Sequence, residues 1–191
     1  MAKQLLPLSF RRRAEMLATA ERDALGLTPT CRLNPRALAA RHAIRVIELS
    51  VLPGVTEAQR SRLMRTGSKD LSALLIGEPG QAVLVVNDAH TPERQASSMC
   101  HEVAHLLLGH ESGPILDEAG ARIYPERQED EATWLAGALL VPVKGLRMLD
   151  PTHTRAQIEA NFGASEEMVR WRCNMHGMAV TAKRKAKAEA A

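Results

Sequence analysis

Residues 83–110 read VLVVNDAHTPERQASSMCHEVAHLLLGH, a β-branched run followed by a long amphipathic pattern. The run at the start predicts a strand. Thr91 then supplies a helix cap and Pro92 suits a first turn, so a helix is predicted from Thr91 to about Gly109. Apolar residues recur along one side of that helix: Ala96, Met99, Val103, Ala104 and Leu107. The stretch therefore predicts a strand and then a helix that packs against a core.

Two histidines and a glutamate lie within the predicted helix. His101 and His105 are four residues apart, so they project from one face and can present ring nitrogens to a single ion. Glu102 lies beside that ion rather than facing it. This is the HExxH pattern, in which two histidines hold Zn²⁺ and the glutamate acts as general base. The competing interpretation is a surface helix whose histidines are only solvated.

A catalytic zinc site takes three protein ligands and keeps one position open, and two histidines with a glutamate form a known set. Residues 127–142, RQEDEATWLAGALLVP, offer two glutamates on a predicted helix. Glu129 shares a helical face with Ala132 and Ala136, whose small side chains allow another helix to approach closely. Glu131 points to a different side. The spacing favours Glu129 as third ligand over Glu131, and either could instead be a solvated acid near a helix start.

The rest of the chain predicts an α+β fold in which a small antiparallel or mixed sheet packs beside the HExxH helix. RVIELSVL, residues 45–52, predicts a strand, and LSALLIG (71–77) and QAVLVVN (81–87) predict a close antiparallel pair. Further helices are predicted near residues 10–25, 34–43, 56–67, 127–140, 154–162 and 165–176. The strand pair could align an extended peptide beside the metal, with QAVLVVN as the aligning strand.

Composition indicates a soluble globular protein with one sizeable core. The chain has 191 residues, of which 45% are hydrophobic, and its 25 Lys and Arg against 22 Asp and Glu give a net charge of +3. This balance gives no strong electrostatic case for nucleic acid as the main partner. Cys31, Cys100 and Cys173 are scattered and odd in number, which favours a reducing cytoplasm. No apolar run has the length of a signal peptide or a membrane span, so a cytoplasmic location is predicted.

Three residues near the motif have functional and structural interpretations. His110 lies five residues after His105, about 140° around a continuing helix, so it is predicted to be a bystander or a neighbour of the metal shell rather than a ligand. Tyr124 could donate to an oxyanion, although an ordinary half-buried tyrosine is the simpler interpretation. Cys100 is predicted to be a small buried hydrophobe that faces away from the metal.

The segment 156–172, AQIEANFGASEEMVRWR, has the pattern of a helix-turn-helix. Ser165 would cap its second helix, from which Arg170 and Arg172 would project. Glu166 and Glu167 stand at the helix end that would enter a DNA groove, where they repel phosphate. Direct DNA binding is therefore not favoured, and packing on the core or gripping a protein substrate is the preferred role.

The sequence resembles the ImmA/IrrE family of zinc metallopeptidases. The matching pieces are residues 83–110 and EDEATWLAGALLVP (129–142), with further agreement in residues 25–49 and 158–177. The resemblance implies a zincin-like fold, zinc bound by His101, His105 and Glu129, and Glu102 as the catalytic glutamate. Two positions depart from the family: Thr133 stands where Asn or Asp is usual, and Met99 lies near the usual place of a Phe.

The resemblance also implies a role and a division of the chain. Many members cut a helix-turn-helix repressor of the Xre type, so the predicted function is a zinc-dependent endopeptidase with such a repressor as partner. The alternatives are a non-catalytic zinc-containing regulator and a toxin–antitoxin component that binds a repressor or DNA. Four segments are predicted: a flexible N-terminus (1–9), a metallopeptidase core (10–142), a helical appendage (143–178) and a basic, disordered tail (179–191).

Overall fold

The computed structural model describes residues 6–65, 71–77, 80–110, 125–149 and 153–178, so Tyr124 and the tail 179–191 lie outside the described residues. The helices are α1 (Leu8–Ala24), α2 (Pro35–Arg41), α3 (Glu57–Leu63), α4 (Pro92–Leu108), α5 (Glu126–Leu140), α6 (Val143–Leu149), α7 (Arg155–Phe162) and α8 (Glu166–Met175). The strands are β1 (Arg45–Glu48), β2 (Ala73–Ile76) and β3 (Val83–Val86). This is the predicted α+β class. Helix α1 begins two residues before the predicted core boundary at Phe10.

Local capping chemistry places most helix starts where the sequence predicts them. The side chains of Asn34, Thr56, Thr91 and Ser165 each accept a hydrogen bond from a backbone N–H in the first turn of the following helix. Pro92 occupies the start of α4, where its missing N–H leaves no bond unmade. The prediction for residues 45–52 was too long, because residues 49–51 form a 3₁₀ turn rather than strand. Helix α6 was not predicted.

The sheet is mixed, with strand order β1–β3–β2. β3 pairs in parallel with β1 and antiparallel with β2, and Leu84, Val85 and Val86 are all buried. The prediction that QAVLVVN aligns a peptide is therefore wrong, because β3 has partners on both sides. β2 is an edge strand of the sheet. Both β2 and β3 pack against α4.

Helix α5 lies at the centre of the core. It packs most extensively against α4 and also contacts α1 and α8. Its composition explains this position, since every residue from Trp134 to Leu140 is buried and most are small or aliphatic. Ala132 and Ala136 are buried as well, as the predicted small-residue face requires.

The C-terminal helices share the core of the preceding segment. Ile158, Phe162 and Val169 belong to the same buried cluster as the side chains of α4 and α5. A Cβ at Gly137 would lie 2.5 Å from the Trp171 ring and 2.9 Å from the Arg172 side chain, so only glycine allows α8 this close to α5. The segment 143–178 thus packs directly on the predicted metallopeptidase core.

No single helix in the described ranges is both long and apolar enough to cross a membrane. Only α5 and α6 taken together, with a bend of 43° between them, reach the required length and composition.

Candidate metal centre

Helix α4 brings His101 and His105 together in the second half of its length. Four residues of helix place one ring a turn above the other, and the two Nε2 atoms are 3.1 Å apart. The side chain of His105 is almost fully buried, with 1% exposed, whereas 25% of the His101 side chain is exposed. Both rings therefore offer a nitrogen to the same point, at the boundary between core and solvent.

Helix α5 adds Glu129 to this pair. Its Oε2 lies 3.1 Å from Nε2 of His101, and its Oε1 lies 3.6 Å from Nε2 of His105. The ligand atoms of the three residues all lie within 4.8 Å of one another. Glu131, the alternative third ligand, points elsewhere, since its carboxylate contacts His110 and Arg127.

The three side chains fit a tetrahedral metal ion. Zinc bonds of about 2.0–2.1 Å place neighbouring ligand atoms roughly 3.3 Å apart, close to the 3.1, 3.1 and 3.6 Å observed. The protonation states also fit. Burial, with the charge of His101, lowers the pKa of His105 to about 3, so this ring is neutral and carries a free lone pair. The hydrogen bond from His101 lowers the pKa of Glu129, which is therefore ionised.

Glu102 lies beside the three residues without joining them. The Leu75 N–H of β2 donates to its Oε2 at 3.1 Å. Burial raises the pKa of Glu102 to about 7, although the charge of His101 and this hydrogen bond act in the opposite direction. A carboxyl group that titrates near neutrality is suited to take up and release a proton.

A cavity of about 330 Å³ opens between β2, α4 and α5. His101 and Glu102 both face it, and its other walls include Ser72, Ala73, Thr133 and Met168. Met168 comes from α8, so the C-terminal helix pair forms part of the same wall. Thr133, one of the two departures from the family pattern, stands at the mouth of this cavity, whereas Met99, the other, is packed in the core.

One edge of β2 faces the cavity. The Asn87 N–H donates to the Ser72 carbonyl at 3.0 Å, which fixes the alternation along the antiparallel pair. The backbone groups of Ala73 and Leu75 then point away from β3, consistent with the bond from Leu75 to Glu102. This edge, rather than β3, can accept an added strand.

Sequence reasoning missed the contact that His110 makes. Helix α4 ends at Leu108, and Gly109 adopts a left-handed conformation (φ +66°). The His110 N–H bonds the His105 carbonyl at 3.0 Å and the Gly109 N–H bonds the Leu106 carbonyl at 3.1 Å, the two bonds of a Schellman motif. His110 therefore turns back onto His105 instead of continuing around the helix. The glycine after a leucine run was the signal that could have shown it.

Two further predictions have clear outcomes. Cys100 is fully buried, as predicted, and burial raises the pKa of its thiol to about 12, so it is an inert core residue. Arg172 does not project from α8: it is fully buried, and its Nε donates to the Val141 carbonyl at 3.0 Å. The prediction of an outward Arg172 was wrong because helical spacing alone does not say which face meets the core.

Fold and site together define a mixed α+β domain with a candidate metal centre of two histidines and a carboxylate, beside a glutamate whose pKa is raised to about 7. The protein-family model described as the IrrE N-terminal-like domain, peptidase family M78, matches residues 39–174, and the chain therefore belongs to this family. The resemblance seen in the sequence is thereby confirmed, and a peptidase is the activity class that the family supports.

Comparisons with individual proteins say less about the function than the family model does. None of the curated proteins matches the sequence. Among solved structures, a Mycobacterium tuberculosis transcriptional regulator is similar, with 16% sequence identity and a TM-score of 0.48. The matched region covers 93% of this chain and 49% of that one, so the chain spans about half the length of that structure.

Proposed function

We propose that this protein is a zinc-dependent endopeptidase in which His101, His105 and Glu129 hold Zn²⁺ and Glu102 is the catalytic acid–base residue. The observation that carries the proposal is the convergence of His101, His105 and Glu129 next to a cavity that His101 and Glu102 line, beside the edge strand β2. A metal site alone would suit a structural role. A raised-pKa carboxyl group and a strand edge at the same opening favour peptide hydrolysis.

The chain's own residues supply the proton transfers. When bound, Zn²⁺ would supply Lewis-acid polarisation of a water molecule and of the peptide carbonyl. Glu102 would take the proton from the attacking water and pass it to the amine that leaves as the peptide bond breaks. The Leu75 N–H holds one oxygen of Glu102, which leaves the other free to receive that proton.

The edge of β2 would align the substrate. An extended peptide placed there would exchange main-chain hydrogen bonds with Ala73, whose backbone groups point toward the cavity side. Uncharged side chains, including Ser72, Thr133 and Met168, line the rest of the opening. Selectivity would then depend on docking of a folded substrate more than on a deep charged pocket.

We further propose a helix-turn-helix repressor of the Xre type as the substrate, on the family resemblance of the sequence. The α7–α8 pair is poorly suited to bind DNA itself. Arg172 is buried, while Glu166 and Glu167 are exposed at the start of α8, where they repel phosphate. The exposed surface of the α7–α8 pair can contact a protein instead.

The test is cleavage of a repressor encoded beside this gene, followed by mass spectrometry. Loss of the general base in zinc-loaded Glu102→Gln should slow cleavage by about 10²- to 10⁴-fold, while zinc content is unchanged. The matched control is Glu126→Gln, which removes a carboxylate at the exposed start of α5 and should cut normally. If the wild type and Glu102→Gln inactivate the repressor equally with no cut, the protein is a non-catalytic regulator.

A further inference from the structure

We propose that His110 and Glu131 are positioning residues that fix the tautomer of His105, so that its Nε2 lone pair faces the metal. The inference rests on the proposed metal site, and it assigns a role to two residues outside the ligand set. It also gives a role to Glu131, the glutamate two residues after Glu129 on α5.

The geometry is a continuous line of polar contacts leading away from the site. Nδ1 of His105 lies 3.0 Å from Nδ1 of His110, and Nε2 of His110 lies 3.2 Å from Oε2 of Glu131. Oε1 of Glu131 accepts from Nε of Arg127 at 2.9 Å. Little of this line is open to water, since only 6% of the His110 side chain and 12% of the Glu131 side chain are exposed.

The direction of each hydrogen bond follows from the carboxylate of Glu131. A carboxylate accepts hydrogen bonds and does not donate them, so Nε2 of His110 donates to Glu131. With its one ring proton on Nε2, His110 accepts at Nδ1 from Nδ1–H of His105. His105 in turn has its proton on Nδ1 and a bare Nε2.

The other side of His105 agrees with this assignment. Its Nε2 faces Nε2 of His101 at 3.1 Å, and two N–H groups cannot point at each other at this distance. Glu129 Oε2 lies closer to His101 than Glu129 Oε1 lies to His105, 3.1 against 3.6 Å, so the proton belongs on His101. Both neighbours therefore favour a bare Nε2 on His105 before any metal binds.

Metal-binding histidines commonly donate their other N–H to a carboxylate or carbonyl, which orients the ring and raises its basicity. Here His110 lies between the His105 ring and the Glu131 carboxylate.

Removal of such an outer partner typically weakens metal binding about 10- to 100-fold, and we expect this loss of Zn²⁺ affinity in His110→Leu and in Glu131→Gln. His110→Gln, whose amide can both accept and donate, should recover part of the affinity. Glu126→Gln on the same helix is the matched control and should bind Zn²⁺ as the wild type does.

The experiment combines Zn²⁺ titration against a chromophoric chelator with ¹⁵N NMR of the histidine rings in the metal-free full chain. The expected result is an Nδ1–H tautomer for His105 in the wild type and its loss in His110→Leu. The spectrum separates positioning from a general loss of fold, and the wild-type measurement needs no variant.

Two outcomes would overturn the inference. One is an Nε2–H tautomer for His105 in the metal-free wild type. The other is unchanged Zn²⁺ affinity in both His110→Leu and Glu131→Gln, which would leave the proposed peptidase intact. If instead the wild type binds no Zn²⁺, the proposed function fails, and the tautomer of His105 still decides whether the line of contacts is as described.

Discussion

Two partly buried polar clusters lie around α5. One comprises His101, His105 and Glu129, here called the His–Glu cluster. The other, here called the Arg172 cluster, comprises Glu15, Arg172 and His176. In the Arg172 cluster opposite charges meet: Nη2 of Arg172 lies 2.7 Å from Oε1 of Glu15, and Nε2 of His176 lies 3.5 Å from the same oxygen. In the His–Glu cluster two imidazole rings face each other and share a single carboxylate.

Two carboxyl groups, Glu15 within the Arg172 cluster and Glu102 beside the His–Glu cluster, show what this difference means. Burial would raise the pKa of Glu15, but the contacts with His176 and with the charge of Arg172 outweigh it and hold that pKa below its usual value. At Glu102 burial prevails and the pKa rises to about 7. The Arg172 cluster pairs a buried cation with a carboxylate of the protein itself, whereas the His–Glu cluster is proposed to take its cation from solution.

The largest expected effect on stability is in the Arg172 cluster. Glu15→Gln leaves the guanidinium of Arg172 buried without its counter-charge and should lower the free energy of unfolding by about 3 kcal/mol. In metal-free protein Glu129→Gln should lower it by less than about 1 kcal/mol, since a half-exposed group pairs weakly. Urea unfolding in EDTA measures both, with the exposed Glu57→Gln as control. Equal losses for Glu15→Gln and Glu129→Gln would remove the distinction between the clusters.

Zinc should stabilise the protein through the His–Glu cluster alone. A ligand that binds only the folded state at 100 times its Kd adds about 2.7 kcal/mol to stability. Thermal unfolding with and without Zn²⁺ should therefore show a rise in Tm for the wild type and for Glu15→Gln, but not for Glu129→Gln. A rise that persists in Glu129→Gln would place the ion elsewhere.

The pH dependence of folding stability should reveal the titration of Glu102. Its pKa is about 7 in the folded chain against 4.5 in the unfolded one, so its contribution to stability is greatest below pH 4.5 and is lost as the pH rises through 7. Glu102→Gln does not titrate, so in EDTA its stability relative to the wild type should rise between pH 5 and pH 8.5. One pKa unit is worth about 1.4 kcal/mol, and partial exposure to the cavity should reduce the total to about 1–2 kcal/mol. A pH-independent difference would contradict the buried environment of Glu102.

The smallest expected effect concerns the turn that carries His110. Gly109 and Gly177 both have positive φ and open space around the position of a Cβ. Alanine at either position should lower stability by about 1 kcal/mol through backbone strain. Only Gly109→Ala should also weaken Zn²⁺ binding, because it moves His110. Equal zinc affinity in the two variants would show that the turn does not influence the site.

The sequence predicts the site better than its surroundings. Local signals determine α4, since Thr91 and Pro92 mark its start and Gly109 marks its end. The small-residue face of α5 turns Glu129, rather than Glu131, toward His101 and His105. Strand order depends on contacts between distant segments, so the central position of β3 could not be derived from its composition.

Burial of a charged side chain is equally hard to predict. Arg172 lies inside because Glu15 and the Val141 carbonyl meet it from elements far away in sequence. Periodicity gives the helix but not the direction in which its faces point. His110 is an intermediate case, because the Gly109 turn is a local signal while the contact to Glu131 is not.

The most direct test of the central claim is the zinc content of purified, dialysed protein, measured by plasma mass spectrometry for the wild type, Glu129→Gln and Glu131→Gln after loading with excess Zn²⁺. The account predicts one zinc per chain in the wild type, the same content in Glu131→Gln once free Zn²⁺ is raised to offset its about 10- to 100-fold weaker binding, and none in Glu129→Gln at either concentration. A wild type without zinc, or retention by Glu129→Gln with loss from Glu131→Gln, would contradict it.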